Sequence, residues 1–157
     1  MPGAITPLLA ARLLERQWMM AAAESCTGGL ISAHCTELAG SSLWFDRGFV
    51  TYSNAAKSDL LGVAPALIAR DGAVSESVAE AMAWGAFDRS AAQVSVAVTG
   101  IAGPGGGSIE KPVGTVWLAW CIEGVTSAEM HCFSGSRAQV RDATVQCALE
   151  GLYQRLV

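Results

Sequence analysis

The chain has no apolar run approaching the roughly 20 residues that a bilayer-spanning helix needs. Its first stretch, MPGAITPLLAARLLERQ, is broken by Arg12, Glu15 and Arg16, so it reads as a helix rather than a signal peptide. Charge is scarce, at 15% of residues, and the ten Lys and Arg are scattered under a formal net charge of −4. That excludes a basic face for nucleic acid. Two histidines, His34 and His131, are too few for a histidine-rich metal site. Five cysteines (Cys26, Cys35, Cys121, Cys132 and Cys147) form an odd set with no C-x-x-C pair, which fits neither a zinc ribbon nor a disulfide framework. They read as reduced thiols, mostly core filler, in a soluble cytoplasmic protein with no membrane association. No internal repeat, low-complexity tail or charged linker is visible.

What is there is apolar and rich in glycine: 52% hydrophobic residues and 17 glycines in 157. A chain of this length buries about 70% of the surface its unfolded form exposes, enough for one core. The expectation is a single domain over residues 1–157. Strand-like and helical patterns alternate: helix 5–17, strand 18–23, helix 28–38, strand 48–53, helix 54–61, a short helix from Pro65, and a helix from the Ser75 cap to about Phe87. QVSVAVTG then reads as a buried strand, GTVWLAWCIEG and VTSAEMHCFSG as a hairpin about Glu123-Gly124, and residues 136–156 as a long amphipathic helix. The pattern predicts a three-layer α/β/α sandwich with a mixed, mostly parallel sheet and a C-terminal antiparallel hairpin. In such sheets ligands sit beyond the carboxyl ends of the strands.

Three stretches could carry chemistry there. In AESCTGG, Ser25 or Thr27 suits the N-cap of the following helix, with Gly28 and Gly29 allowing close backbone approach. The same turn could present Ser25 as a nucleophile beside free N–H groups that hold an oxyanion. A serine needs a base, and His34, nine residues on, falls half a helical turn out of phase. His131 lies in the hairpin, so a Ser-His-Asp triad is a poor fit. In FVTYSNAAKSDLLGV, Lys57 sits in the first turn of a helix, where the dipole and burial both favour a neutral amine, and Tyr52 stands just before that helix. Each also has an ordinary reading, as a solvated lysine and a half-buried aromatic. VTGIAGPGGGSIEKPVGTV lacks the G-K-[ST] of a phosphate loop and the third glycine of a dinucleotide fingerprint. Its exposed N–H groups could still nest a phosphate or carboxylate, the alternative being a mobile surface loop.

Together with GAVSESVAEAMA and FSGSRAQVR, these stretches resemble, in order and over nearly the whole chain, the CinA carboxy-terminal domain family, whose characterised enzymes are nicotinamide-nucleotide amidohydrolases. The resemblance implies hydrolysis of the carboxamide of nicotinamide mononucleotide (NMN) to nicotinic acid mononucleotide and ammonia, with no metal and no cofactor. It makes Ser25 the nucleophile, Lys57 the general base and Tyr52 a positioning or relay group. Substrate contacts are expected from Cys26, Thr27, Gly28, Gly29, Thr99, Gly100, Ala102, Gly103 and Gly105, with Arg141, or else Arg137, holding the phosphate. Many relatives read S-N-E-A-K where this chain has Ala55 before Ala56-Lys57, and G-D-R where it has Ser136 before Arg137. Larger members carry a further N-terminal domain, so this chain is expected to be a stand-alone deamidase-type unit, and a homo-oligomer, dimer or higher. Two other readings stay open: a nucleotide-binding regulatory module without turnover, and Cys26 as nucleophile through a thiol acidified at a helix N-terminus.

Overall fold

The local signals for the helices are realised where caps stand next to apolar periodicity. The computed structural model describes residues 2–157. Helix α1 (Thr6–Arg16) carries Pro7 in its first turn, buries Leu9, Ala10 and Leu13, and ends at a left-handed Gln17. Strand β1 (Met20–Glu24) leads to helix α2 (Leu30–Thr36), strand β2 (Phe45–Val50) and helix α3 (Asn54–Leu61), whose Ser53 cap accepts from the Ala56 N–H. Helix α4 (Pro65–Asp71) starts on proline, and helix α5 (Glu76–Asp88) on the Ser75 cap. Strands β3 (Val94–Gly100), β4 (Thr115–Ile122) and β5 (Val125–Cys132) precede helix α6 (Arg137–Leu156), opened by a capping box between Ser136 and Gln139.

The five strands form one mixed sheet in the order β2-β1-β3-β4-β5. β1, β2 and β3 are parallel neighbours, while β4 runs against both β3 and β5, so four strands point one way. Period-two alternation then sorts side chains by size. Met20, Ala22, Val94, Val96, Val98, Val116, Leu118 and Trp120 face α1, α2 and α6, whereas Ala21, Ala23, Ala97, Ala119 and Cys121 face the α4 and α5 side. The small-residue face lets α5 approach closely, and a Cβ at Gly85 of α5 would lie 2.2 Å from the Leu61 carbonyl of α3. On the opposite face fully buried Trp120 donates its indole N–H to the Ala148 carbonyl at 3.0 Å, and the Arg155 guanidinium sits 3.7 Å from its ring centre.

These observations bear out the expected α/β architecture and correct its details. β2 spans 45–50 rather than 48–53, because it is an edge strand whose exposed Arg47 and Gly48 hide it from alternation. The cap of α2 is neither Ser25 nor Thr27. Gly29, at φ 109°, occupies the cap position, and the Glu24 carboxylate reaches from the end of β1 to the Gly29, Ile31 and Ser32 N–H groups. Trp44 and Trp120 are buried, while Trp84 is substantially exposed.

Candidate active site

Because β1, β2 and β3 run in parallel, their carboxyl ends gather at one edge, and the chain leaves β1 and β2 into helices on opposite faces. A crevice opens between those departures. Ser25 follows β1 directly and its N–H donates to the Val98 carbonyl at 3.2 Å, while the Thr51 N–H after β2 donates to the Glu24 carbonyl at 2.8 Å. These two bonds register the serine against the start of α3. One turn in, Lys57 folds back with Nζ 3.0 Å from Ser25 Oγ, 3.1 Å from the Thr51 carbonyl and 3.2 Å from the Tyr52 carbonyl.

That amine is 1% exposed and pairs with no carboxylate among the described residues. Burial, which penalises the charged form, holds its pKa below the ordinary 10.5, against a smaller upward pull from Cys26. Two N–H bonds of the amine are taken by two main-chain carbonyls, so its remaining position faces Ser25 Oγ. When neutral, the nitrogen presents its lone pair there and can take the hydroxyl proton. The Ser25 hydroxyl's other neighbour, the Tyr52 carbonyl at 3.5 Å, is too distant to compete.

The turn after Ser25 is fastened from both sides. Arg141, on α6, donates to the Cys26 and Thr27 carbonyls, each at 3.1 Å, and the Glu24 carboxylate accepts from Thr27 Oγ1 at 2.7 Å. The Gly28 N–H closes on the Ser25 carbonyl, with Gly28 at φ 55°. Among the described residues neither the Cys26 nor the Thr27 N–H donates to another residue. A trans peptide points its N–H away from its carbonyl, so Arg141 at the Cys26 carbonyl leaves the Thr27 N–H directed away from itself.

A cavity of about 230 Å³ opens over the pair, lined by Ser25, Cys26, Tyr52, Asn54, Lys57, Ala73, Val74, Thr99, Gly100, Ala102 and Arg137. Its basic lining residues are Lys57 and Arg137, with no carboxylate beside them, and the Arg137 charge favours an anionic ligand despite the acidic chain. Arg141, the first choice from sequence for the phosphate, is bonded to the turn, while exposed Arg137 lines the cavity and donates to the Gly103 carbonyl at 2.8 Å. Tyr52 contributes its carbonyl to Lys57, and its exposed ring stands at the cavity wall. Thr99 Oγ1 is engaged with the Ala73 carbonyl at 2.9 Å, and Gly105 lies on a separate surface with Pro104 and Gly106. His34 turns toward Glu37 and His131 toward Glu129, so neither reaches Ser25. The Cys26 thiol, expected to be acidified, is instead pushed up to about 11 by burial at 6% exposure.

Sequence reading missed Asn54, Ala73 and Val74 as lining residues, and it missed Glu24. The available signal for Glu24 was a carboxylate ending an otherwise apolar buried strand, a position that requires partners. Among the described residues no group of three or more His, Cys, Asp or Glu is arranged to hold a metal ion, and no helix is long and apolar enough to cross a membrane.

Fold and cavity together define a class: a three-layer α/β protein with a buried serine and lysine in contact at the carboxyl edge of its sheet. The chain belongs to the CinA C-terminal domain family, whose model matches residues 4–156. It is 53% identical over 134 residues to the nicotinamide-nucleotide amidohydrolase PncC of Enterobacter agglomerans, covering 85% of this chain and 82% of that protein. To the protein of the same name from Escherichia coli K12 it is 51% identical over 138 residues, covering 86% and 82%. A CinA-like protein of Syntrophobacter fumaroxidans is 53% identical over 145 residues, and there the chain spans only 34% of the relative's length while 92% of this chain is covered. Among solved structures, the competence/damage inducible protein CihA from Agrobacterium tumefaciens superposes with a TM-score of 0.94 at 48% identity, covering 99% of this chain and 94% of that one.

Proposed function

We propose that this chain is a nicotinamide-nucleotide amidohydrolase that opens the carboxamide of NMN by acyl transfer through Ser25 and Lys57. The observation that carries the reading is the 3.0 Å approach of a buried, carboxylate-free lysine to a serine hydroxyl. Neutral Lys57 takes the Ser25 proton as Oγ attacks the amide carbon, and the Cys26 and Thr27 N–H groups receive the oxyanion. The tetrahedral adduct then collapses: the C–N bond breaks as the Lys57 ammonium gives its proton to the amide nitrogen, which departs as ammonia. Water next attacks the Ser25 ester with Lys57 again accepting the proton; the acyl C–Oγ bond breaks, Lys57 returns that proton to Ser25 Oγ, and nicotinic acid mononucleotide leaves. Arg137 meets the phosphate at the open side of the cavity, and Tyr52 and Asn54 flank the ring. The set of five free cysteines suits a cytoplasmic setting, and exposed Leu8, Leu14, Leu43 and Trp84 suit a homo-oligomer.

The test is ammonia release from NMN by the purified protein beside Ser25→Ala and Lys57→Ala. Activity that both substitutions abolish, with melting behaviour retained, is the expected result. Near-normal turnover in either variant refutes the mechanism. A melting temperature raised by NMN without any ammonia from the unaltered protein would instead favour the regulatory-module reading. The thiol reading is disfavoured by the raised pKa of Cys26.

A further inference from the structure

One buried ionisable group takes no part in that mechanism. Glu24 is fully buried, and five hydrogen bonds converge on its carboxylate. Oε1 accepts from Thr27 Oγ1 at 2.7 Å, the Gly29 N–H at 3.2 Å and the Ile31 N–H at 2.8 Å. Oε2 accepts from the Ser32 N–H at 3.0 Å and Ser32 Oγ at 2.7 Å. An ordinary cap serves one or two N–H groups of the first helical turn. This carboxylate gathers the turn that follows Ser25 and the first turn of α2 onto one point.

That point is rigid. Glu24 is the last residue of β1, paired with Val50 on one side and Val98 on the other. Its main chain serves the second half of the site: the Glu24 carbonyl accepts from the Thr51 N–H, and the Thr51 carbonyl accepts from Lys57 Nζ. The side chain therefore fixes the serine's turn while the backbone of the same residue fixes the lysine's seat. Across the turn, Arg141 holds the Cys26 and Thr27 carbonyls.

We propose that Glu24 is a positioning residue for the acyl transfer, its carboxylate working with Arg141 across the turn to hold residues 25–29 so that Ser25 meets Lys57 and the Cys26 and Thr27 N–H groups stay free for the oxyanion. The inference rests on the functional reading above. Glu24→Gln keeps size and removes charge, but its amide nitrogen must face donors at one of the two oxygen sites, which pushes the turn away. Displacement of a reacting group by about 1 Å costs about a hundredfold in rate.

The experiment measures kcat and KM for ammonia release from NMN by the unaltered protein, Glu24→Gln, Thr27→Val and Ser95→Ala. Ser95 is equally buried and bonds the Ala83 carbonyl from the second position of β3, so its variant reports general loosening. Expected are a fall in kcat of about a hundredfold for Glu24→Gln with KM within about threefold, a smaller fall for Thr27→Val, and an unchanged kcat for Ser95→Ala. If Glu24→Gln does not fold, Thr27→Val, isosteric and removing one of the five donors, decides alone. A kcat equal to that of the unaltered protein in whichever of the two folds overturns the proposal, as does an equal fall in Ser95→Ala.

Should the unaltered protein release no ammonia, the functional reading fails separately. Positioning is then read from phosphonylation of Ser25 by a fluorophosphonate, in which the P–O bond forms, fluoride departs and the hydroxyl proton passes to Lys57. Slower labelling in Glu24→Gln and Thr27→Val than in Ser95→Ala upholds the proposal, and equal rates, or no labelling in any of them, overturn it.

Discussion

Replacing Lys57 by methionine keeps an unbranched stem and deletes the amine. Three consequences follow from its surroundings. Ser25 loses its base, a contribution of about 10²–10⁴ in rate, or about 2.7–5.5 kcal/mol of activation free energy. The Thr51 and Tyr52 carbonyls lose a donor, at about 1–3 kcal/mol each where they stay dry. Against that, the fold no longer desolvates a cationic group, whose lowered pKa shows that burial opposes its charged form. The last two effects offset each other, so kcat should collapse while the melting temperature moves by only a few degrees.

The pH dependence carries the same signature. Only the neutral amine accepts a proton, so kcat/KM of the unaltered protein should rise with pH and level off once the folded-state pKa of Lys57, below 10.5, is passed. Stability should follow: between that lowered value and 10.5 the unfolded chain binds more protons than the native one, so this group's contribution improves as pH rises through the window. Ammonia release and thermal melts from pH 6 to 10 measure both. A Lys57→Met variant with kcat within about threefold of the original, or an unaltered protein with a flat acid limb, would refute the assignment of Lys57 as base.

Arg137→Ala should raise KM for NMN about tenfold, the worth of a partly solvated charged hydrogen bond, with a smaller effect on kcat; initial rates decide, and an unchanged KM removes Arg137 from the phosphate site. Cys26, 6% exposed with its pKa pushed up to about 11, should resist iodoacetamide at pH 7.5 while exposed Cys132 is alkylated, and activity should persist; peptide mass mapping checks this. The same shift lets the unfolded thiol ionise from 9.0 upward before the native one, so this group's share of stability should fall between pH 9 and 11 by about 2–3 kcal/mol, beside losses of the same sign from buried Cys35 and half-buried Cys147, and Cys26→Ala should make the alkaline fall shallower by that share. Gly85→Ala places a Cβ 2.2 Å from the Leu61 carbonyl and should cost about 1–3 kcal/mol, lowering the melting temperature and, by shifting α3, kcat as well.

Much of this arrangement was legible in the sequence because its signals are local. Ser53, Ser75 and Ser136 each cap the helix that apolar spacing announces. Strand direction brings Ser25 and Lys57 to one sheet edge, since parallel β1 and β2 deliver both there, whereas their pairing across 32 residues was implied by the family resemblance and not by the pattern itself. What escaped depends on reach. Glu24 belongs by pattern to its strand, yet its side chain serves backbone five to eight residues later. Arg137 and Arg141 share a helical face, and only the distance to the Cys26 and Thr27 carbonyls tells which is consumed by the fold.

The reversal of β4 has a further consequence for the glycine-rich connection at residues 101–114. A helical crossover would have carried the chain away from the crevice; an antiparallel return brings both ends of the segment back to it. Those ends are stitched together, with the Ile101 N–H on the Thr115 carbonyl at 2.9 Å and the Gly114 N–H on the Ile101 carbonyl at 2.7 Å. Beyond the stitch, Ser108 and Lys111 close a smaller turn whose Ile109 stands entirely in solvent. Lys111 ties the base of that turn to the Asp71 carbonyl at 3.1 Å, so exposed Ile109 and Glu110 are the part that stands clear. Lengthening it, or grafting a foreign epitope at 109–110, should leave the chemistry untouched, which makes this loop the natural port for attaching a reporter to the molecule.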